Sequence, residues 1–510
     1  MRLLIALSTA LCLFTGTLQA APPAEPTKAA STAPRSPLEE KVVEHRLKNG
    51  MKLLMVERHT SPTVAAWIRF RVGSVDEKSD ERGIAHLLEH MLFKGTTTLG
   101  TKDYAAEKPL LDRIEQTGQA LIAEKAKQNK GDAKRIDQLT RQLAELEAEA
   151  GTYAIKDEFF ELYSKNGGVG YNAFTSRDGT TYLISLPSNK LELWAAIESD
   201  RMQNAVLREF YTERAVVMEE RRRSYDADPV SRLWETFLAS SYLAHPYGQP
   251  TIGWMSDIEN LTRGKAERFF RDYYGPQSAI VAIVGDIDPR ATIALVERYF
   301  GAISPGSNPA PVTTQEPKQG GERRIELMAD SQPTLMVGFH KPAIGAADDY
   351  VFDVIATILG HGRTSRLYRK LVIEDQLASD VAVFDAPGSR YPNLLVINAD
   401  PRAPHTVNEV EQAILAELER LKNEPVSERE LKRVLNGIEF EEARRMGTNG
   451  GLARNLTEFE ALTGSWRYMS AYRHRVAAVT AADIRRVANH YFSRENRMVG
   501  FITTQGDVKK

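Results

Sequence analysis

The pentapeptide His86-Leu87-Leu88-Glu89-His90 packs three chemically active side chains into just over one helical turn. Residues at i and i+4 share a helical face, so His86 and His90 would present two imidazoles to one point, the spacing of metal ligands. Glu89 lies near that face and suits the role of catalytic base toward a water held at the metal. Two imidazoles and a carboxylate favour Zn2+ and leave the fourth tetrahedral position open. The preference for zinc over manganese or cobalt rests on ligand type alone. The bland counterpart is a helix whose imidazoles are satisfied by backbone and core.

A third ligand must come from elsewhere. The segment Glu213-Arg-Ala-Val-Val-Met-Glu219-Glu220 reads as a helix in which Glu213 and Glu220, two turns apart, align on one face. Glu220 is the expected ligand, with Glu219 as its competitor because helix boundaries are the least certain feature of such a reading.

Several elements must position these groups. Asp80 is expected to cap the His86 helix, Ile84, Leu87, Leu88, Met91 and Leu92 form its apolar face, and Gly95 suits its stop. Upstream, Asn49-Gly50 marks a hairpin turn within His45 to Glu57, and Val64 to Val72 continues as a strand. Residues 102–158 are highly charged. Ile136, Leu139, Leu143 and Leu146 recur there at coiled-coil spacing, and Asn129 to Asp132 supplies a turn, so an inserted antiparallel helical hairpin is expected. Such charge runs equally mark a solvated spacer.

The chain also repeats itself. Ser61-Pro62-Thr63 answers Gln332-Pro333-Thr334 at an offset of 271, and Thr212-Glu213-Arg214 answers Ser427-Glu428-Arg429 at an offset of 215. One insertion about as long as the hairpin reconciles the two offsets. At the first offset His86, Glu89 and His90 fall on Thr357, Gly360 and His361, so the second copy keeps the position and lacks the site.

These features together resemble the pitrilysin/insulinase family of zinc peptidases, the inverzincins, whose motif inverts HExxH. The family's third ligand is the last acid of an E-R-x-x-V-x-x-E segment, which implies Glu220 here. The resemblance implies for Glu213 a supporting role in catalysis behind the ligands. Gly167-Gly168, Asn172-Ala173-Phe174-Thr175 and Asp178-Gly-Thr-Thr-Tyr182 are similar to the family's strand beside the zinc helix. That likeness implies peptide binding at Asn172 and Ala173 by strand addition. His245-Pro246-Tyr247-Gly248 is also similar, though an ordered loop is its plainer reading. The likeness runs from about residue 40 to 505, with a longer interval between His90 and Glu220 than is usual for the family. Arg390, Tyr391 and Arg402 are the candidates for a family Arg and Tyr that grip substrate carbonyls; if none serves, another subunit must complete the site.

The implied fold is α+β, with two homologous domains, each a mainly antiparallel sheet backed by helices. Residues 1–20 read as a signal peptide, 21–37 as a flexible tether and 38–303 as the catalytic domain. A linker at 304–322 and a second domain at 323–510 without the metal site complete the chain. The implied activity is endopeptidase cleavage of peptides or unfolded polypeptides inside a clam-shaped chamber, formed as a homodimer or as a heterodimer with a related subunit. The alternative is a non-catalytic peptide-binding or assembly subunit. A hydrophobic content of 42% argues against disorder, and 66 basic against 68 acidic residues leave no field to hold nucleic acid or an anionic membrane. The only cysteine, Cys12, lies in the apolar run of the signal and lacks a lipoprotein-type setting, so the mature chain is expected to be thiol-free and periplasmic, without stable membrane insertion.

Overall fold

Asn49-Gly50 reverses the chain where its sequence predicts: Gly50 takes φ +97°, open to glycine at little cost, and closes β1 (Val42–Arg46) antiparallel onto β2 (Lys52–Glu57). This is a computed structural model that describes residues 37–504, so the expected signal sequence, Cys12 and residues 21–36 of the expected tether lie outside the described residues. From Lys41 onward the described chain packs as one unit.

The first sheet adds β3 (Thr63–Phe70), β4 (Val169–Thr175), β5 (Thr180–Pro187) and β6 (Ala279–Gly285), in the order β1-β2-β6-β3-β5-β4. The second holds β7 (Arg323–Met328), β8 (Leu335–Lys341), β9 (Ala378–Ala386), β10 (Asn393–Pro401) and β11 (Arg497–Thr503), in the order β7-β11-β8-β10-β9. Setting β1 aside, the two orders superimpose strand for strand. Each sheet has one parallel pair, β2 with β6 and β7 with β11, and antiparallel pairs elsewhere. The internal repeat is therefore a repeat of one topology, and the fold is α+β with two mixed, mainly antiparallel sheets.

The helices that matter to the site are α1 (Ile84–Met91), α2 (Tyr104–Ala126), α3 (Ala133–Gly151), α4 (Phe210–Arg221), α5 (Pro229–Ser241), α6 (Arg263–Tyr273), α7 (Asp349–Gly360), α8 (Glu428–Met446) and α9 (Asn449–Thr463). Helices α2 and α3 are the arms of the inserted hairpin, and Leu139, Leu143 and Leu146 are buried along the seam. In the first half α1 packs on α4; in the second, α7 packs on α8.

The next helix in each half crosses over. Helix α5 lies on β7 and β11 of the second sheet, and α9 lies on β3 and β6 of the first. Phe237 of α5 sits where Gly338 and Gly500 leave room: a Cβ on Gly338 would come within 2.7 Å of the ring. Leu452, Ala453 and Leu456 of α9 are buried in turn. Buried apolar area contributes roughly 25 cal/mol per Å², so this reciprocal exchange couples the halves through two helix–sheet interfaces.

Candidate metal centre

Helix α1 is amphipathic, with Ile84, Ala85, Leu87, Leu88 and Met91 buried, which turns His86, Glu89 and His90 toward β4 and α4. Its start departs from expectation. Asp80 does not cap it; the helix begins four residues later behind Gly83 (φ +92°), and the buried Glu77 carboxylate accepts from Gly83 N at 3.0 Å and Ala85 N at 2.9 Å. Asp80 lies at the surface beside Lys265 instead. The physical reason is that the chain enters the helix through a left-handed turn at Gly83, where the free N–H groups meet the buried Glu77 carboxylate. Gly95 (φ +104°) likewise falls beyond the helix end at Met91 rather than at its immediate stop.

The structure brings His86, His90 and Glu220 together, with one potential ligand atom from each lying within 4.8 Å of the others. His86 Nε2 is 3.8 Å from Glu220 Oε1, and His90 Nε2 is 3.6 Å from Glu220 Oε2. Among the described residues no other His, Cys, Asp or Glu side chains converge in this way. Glu219 points elsewhere, exposed and paired with Arg222 at 3.0 Å.

Without a metal the two imidazoles are pushed in opposite directions, His86 toward the neutral, ligating form and His90 toward the protonated one. Burial, with the neighbouring His90 charge, brings His86 down to about 3, so its imidazole is neutral, and its buried Nδ1 has no partner among the described residues. For His90 burial is outweighed by Glu213 and the nearby carboxylates, and its pKa rises. Glu213 Oε1 lies 3.0 Å from His90 Nδ1, and its Oε2 lies 2.7 Å from Lys94 Nζ. Burial would raise Glu213, but these hydrogen bonds bring it down to about 2. A carboxylate on Nδ1 fixes the tautomer that leaves Nε2 free to ligate. Two imidazoles with one carboxylate and, among the described residues, no fourth protein donor is the donor set of an open zinc site.

Glu89 is not one of the three converging side chains but lies close enough to feel the charges of His90 and Glu220. Its Oε2 accepts from Thr175 Oγ1 of β4 at 2.6 Å, and burial, named first among the influences, raises its pKa against that hydrogen bond. Thr175 belongs to a motif visible in the sequence, but its partnership with Glu89 is not visible there, since it depends on the register of β4.

Asn172 is exposed and Ala173 buried on β4, which among the described residues pairs only with β5 and carries an irregularity around Gly170 (φ +67°). Arg390 pairs with Asp76 at 2.7 Å, and the Tyr391 hydroxyl accepts from Val312 N at 3.1 Å, while Arg402 is exposed. The first two thus lie at the junction of the halves. Its centre is Asp178, which accepts from the Tyr247 hydroxyl at 2.6 Å, Ser389 N at 2.7 Å and Arg390 N at 3.1 Å. His245 and Tyr247 form an ordered loop, with His245 Nδ1 accepting from Tyr247 N at 3.2 Å.

Comparison with known proteins places this geometry. The sequence profile described as Insulinase (Peptidase family M16) matches residues 52–127 and 146–253, and that described as Peptidase M16 inactive domain matches 260–438. The chain belongs to the M16 peptidase family.

Within M16, it is 26% identical over 463 residues to zinc protease PqqE of Helicobacter pylori, covering 88% of this chain and 89% of that protein. It is 24% identical over 455 residues to an uncharacterized zinc protease of Rickettsia bellii, covering 88% and 94%. A protease structure from Helicobacter pylori superimposes with a TM-score of 0.75 at 25% identity, covering 91% of this chain and 99% of that one. The periplasmic protease PqqL from Escherichia coli shares the fold, with a TM-score of 0.69 at 17% identity over 94% of this chain and 49% of that chain.

Proposed function

We propose that this M16 protein is a zinc metalloendopeptidase acting on peptides or unfolded polypeptides. The observation that carries this reading is the convergence of His86, His90 and Glu220 beside a glutamate held by a separate hydrogen bond. When bound, zinc would supply Lewis acidity, acidifying a water and polarising a peptide carbonyl. His86, His90 and Glu220 would hold it, and Glu213 orients His90.

Glu89 acts as general base and then general acid. Its carboxylate, oriented by Thr175, removes a proton from the attacking water and returns it to the leaving amine as the C–N bond breaks. Burial raises its pKa, which strengthens it as a base and readies it to carry the proton. The peptide docks extended along the outer edge of β4, where Asn172 and the backbone around Ala173 supply polar contacts that no particular substrate side chain must satisfy.

A second chain, a copy or a relative, completes the enclosure. The engagement of Arg390 and Tyr391 within the junction supports this, because it leaves only the exposed Arg402 of the three candidates to grip substrate. The apolar segment at residues 1–20 supports export and a periplasmic location; no helix of the described residues is long and apolar enough to cross a membrane.

The test is cleavage of an unstructured, fluorogenic polypeptide by the zinc-loaded mature chain. Cleavage should require the metal and cease on chelation. A chain that binds zinc stoichiometrically yet leaves the substrate intact, alone and with any protein that co-purifies with it, overturns the reading.

A further inference from the structure

The charged hairpin is anchored by acids that face inward. Glu107 of α2 pairs with Arg208 at 2.9 Å, both buried, just before α4 begins. Glu115 of α2 accepts from the Tyr211 hydroxyl at 2.9 Å and from Arg263 N and Gly264 N at the start of α6, at 3.1 and 2.9 Å. Gly118 makes that approach possible, since a Cβ there would lie 2.1 Å from Tyr211 Cζ. From the other arm, Glu147 of α3 accepts from Thr212 N at 3.2 Å and Thr212 Oγ1 at 3.1 Å.

This last contact makes good a local deficiency. A helix N-terminus leaves backbone donors unsatisfied and carries partial positive charge, which a side-chain acceptor normally meets. The residue before α4 is Glu209, at φ +56°, and its side chain makes no capping bond. Glu147 supplies the missing acceptor from a different element. The next residue along is Glu213, which orients His90, and Glu220 lies two turns further, roughly 10 Å along the axis. A change in the seating of the first turn therefore carries to both carboxylates.

We propose that the hairpin is a brace for the metal centre, with Glu147 a positioning residue that sets the placement of Glu213 and Glu220 by capping α4. The inference rests on the zinc reading above. A solvated spacer would carry its charges outward; this one turns an acid from each arm onto the 208–212 segment.

The experiment measures zinc affinity of the mature full-length chain by competition with a chromophoric chelator, beside thermal unfolding. Glu147→Ala should weaken zinc binding about 10-fold or more, the size of effect seen for groups that orient ligands from behind. Glu147→Gln, whose amide oxygen still accepts, should restore affinity to near the wild-type value. Glu147→Asp, which withdraws the carboxylate from Thr212, is the second variant should the alanine chain not fold, and it too should bind zinc more weakly. Leu139→Ala loosens the hairpin seam about 12 Å further along α3 and should lower the melting temperature while leaving affinity unchanged. Wild-type affinity in Glu147→Ala or, where that chain does not fold, in Glu147→Asp, or an equal loss of affinity in Leu139→Ala, overturns the brace alone. A wild-type chain that binds no zinc overturns the underlying reading along with it.

Discussion

Thr175 of β4 donates its hydroxyl to Glu89 of α1 across 2.6 Å, joining the strand proposed to receive substrate to the residue proposed to move the proton. Thr175→Val should lower kcat about 10- to 100-fold with zinc content and KM nearly unchanged, because a base freed to rotate spends less time aligned. Thr175→Ser should recover most of the loss. Steady-state kinetics of the two variants check this, and equal kcat in wild type and Thr175→Val would remove the threonine from the mechanism.

Glu89 and Glu220 should separate chemistry from metal binding. Glu89→Gln is expected to keep zinc and lose peptide hydrolysis. Glu220→Gln should weaken zinc binding itself, whereas Glu219→Gln should leave it unchanged, since Glu219 is turned toward Arg222. Metal analysis after dialysis, paired with a peptide-hydrolysis assay, distinguishes the three, and full zinc retention by Glu220→Gln would move the third-ligand role elsewhere.

The junction around Asp178 should be sensitive to loss of one carboxylate. Asp178→Ala strands the Tyr247 hydroxyl and the Ser389 and Arg390 backbone donors, at a cost of about 2–4 kcal/mol. Gly388→Ala should be comparably harmful, because its Cβ would lie 2.6 Å from the Tyr247 hydroxyl oxygen and 2.7 Å from Asp178 Oδ2. Denaturant midpoints test both, and unchanged midpoints would show that the junction carries little of the stability.

Glu44 predicts a pH signature remote from the metal. Partial burial alone would raise its pKa, but hydrogen bonds from Lys52, Trp466 and Arg467 prevail and bring it from 4.5 to about 2. A depressed carboxylate contributes stability above its unfolded value and loses it as pH falls through the folded one. Melting temperatures of wild type and Glu44→Gln should therefore differ most above about pH 5 and converge from 4.5 toward 2. After allowance for solvent screening the difference corresponds to about 1–2 kcal/mol. A gap that stays constant with pH would contradict the assignment.

Much of this molecule was legible because its signals are local. The HxxEH spacing, the hairpin seam at Leu139, Leu143 and Leu146, and the offset repeats are properties of short windows, and the paired sheet orders bear out the repeat. What escaped depends on three-dimensional return. Asp80 is a sound cap by sequence, but the turn at Gly83 hands that task to Glu77. Arg390 and Tyr391 look available as letters in a row. Their partners, Asp76 and Val312, lie far off in the chain and only the packed halves bring them within reach. The inward acids of the hairpin were hidden by the same effect: in a strongly charged stretch, Glu107, Glu115 and Glu147 read no differently from their solvated neighbours.

The crossing of α5 and α9 makes the covalent connection through residues 304–322 dispensable to the union of the two lobes. Each lobe lends the other a helix, so a protease that nicks this connecting stretch should leave both fragments clasped, co-eluting until denatured. The same clasp means that the two lobes cannot part without first stripping a helix from each sheet.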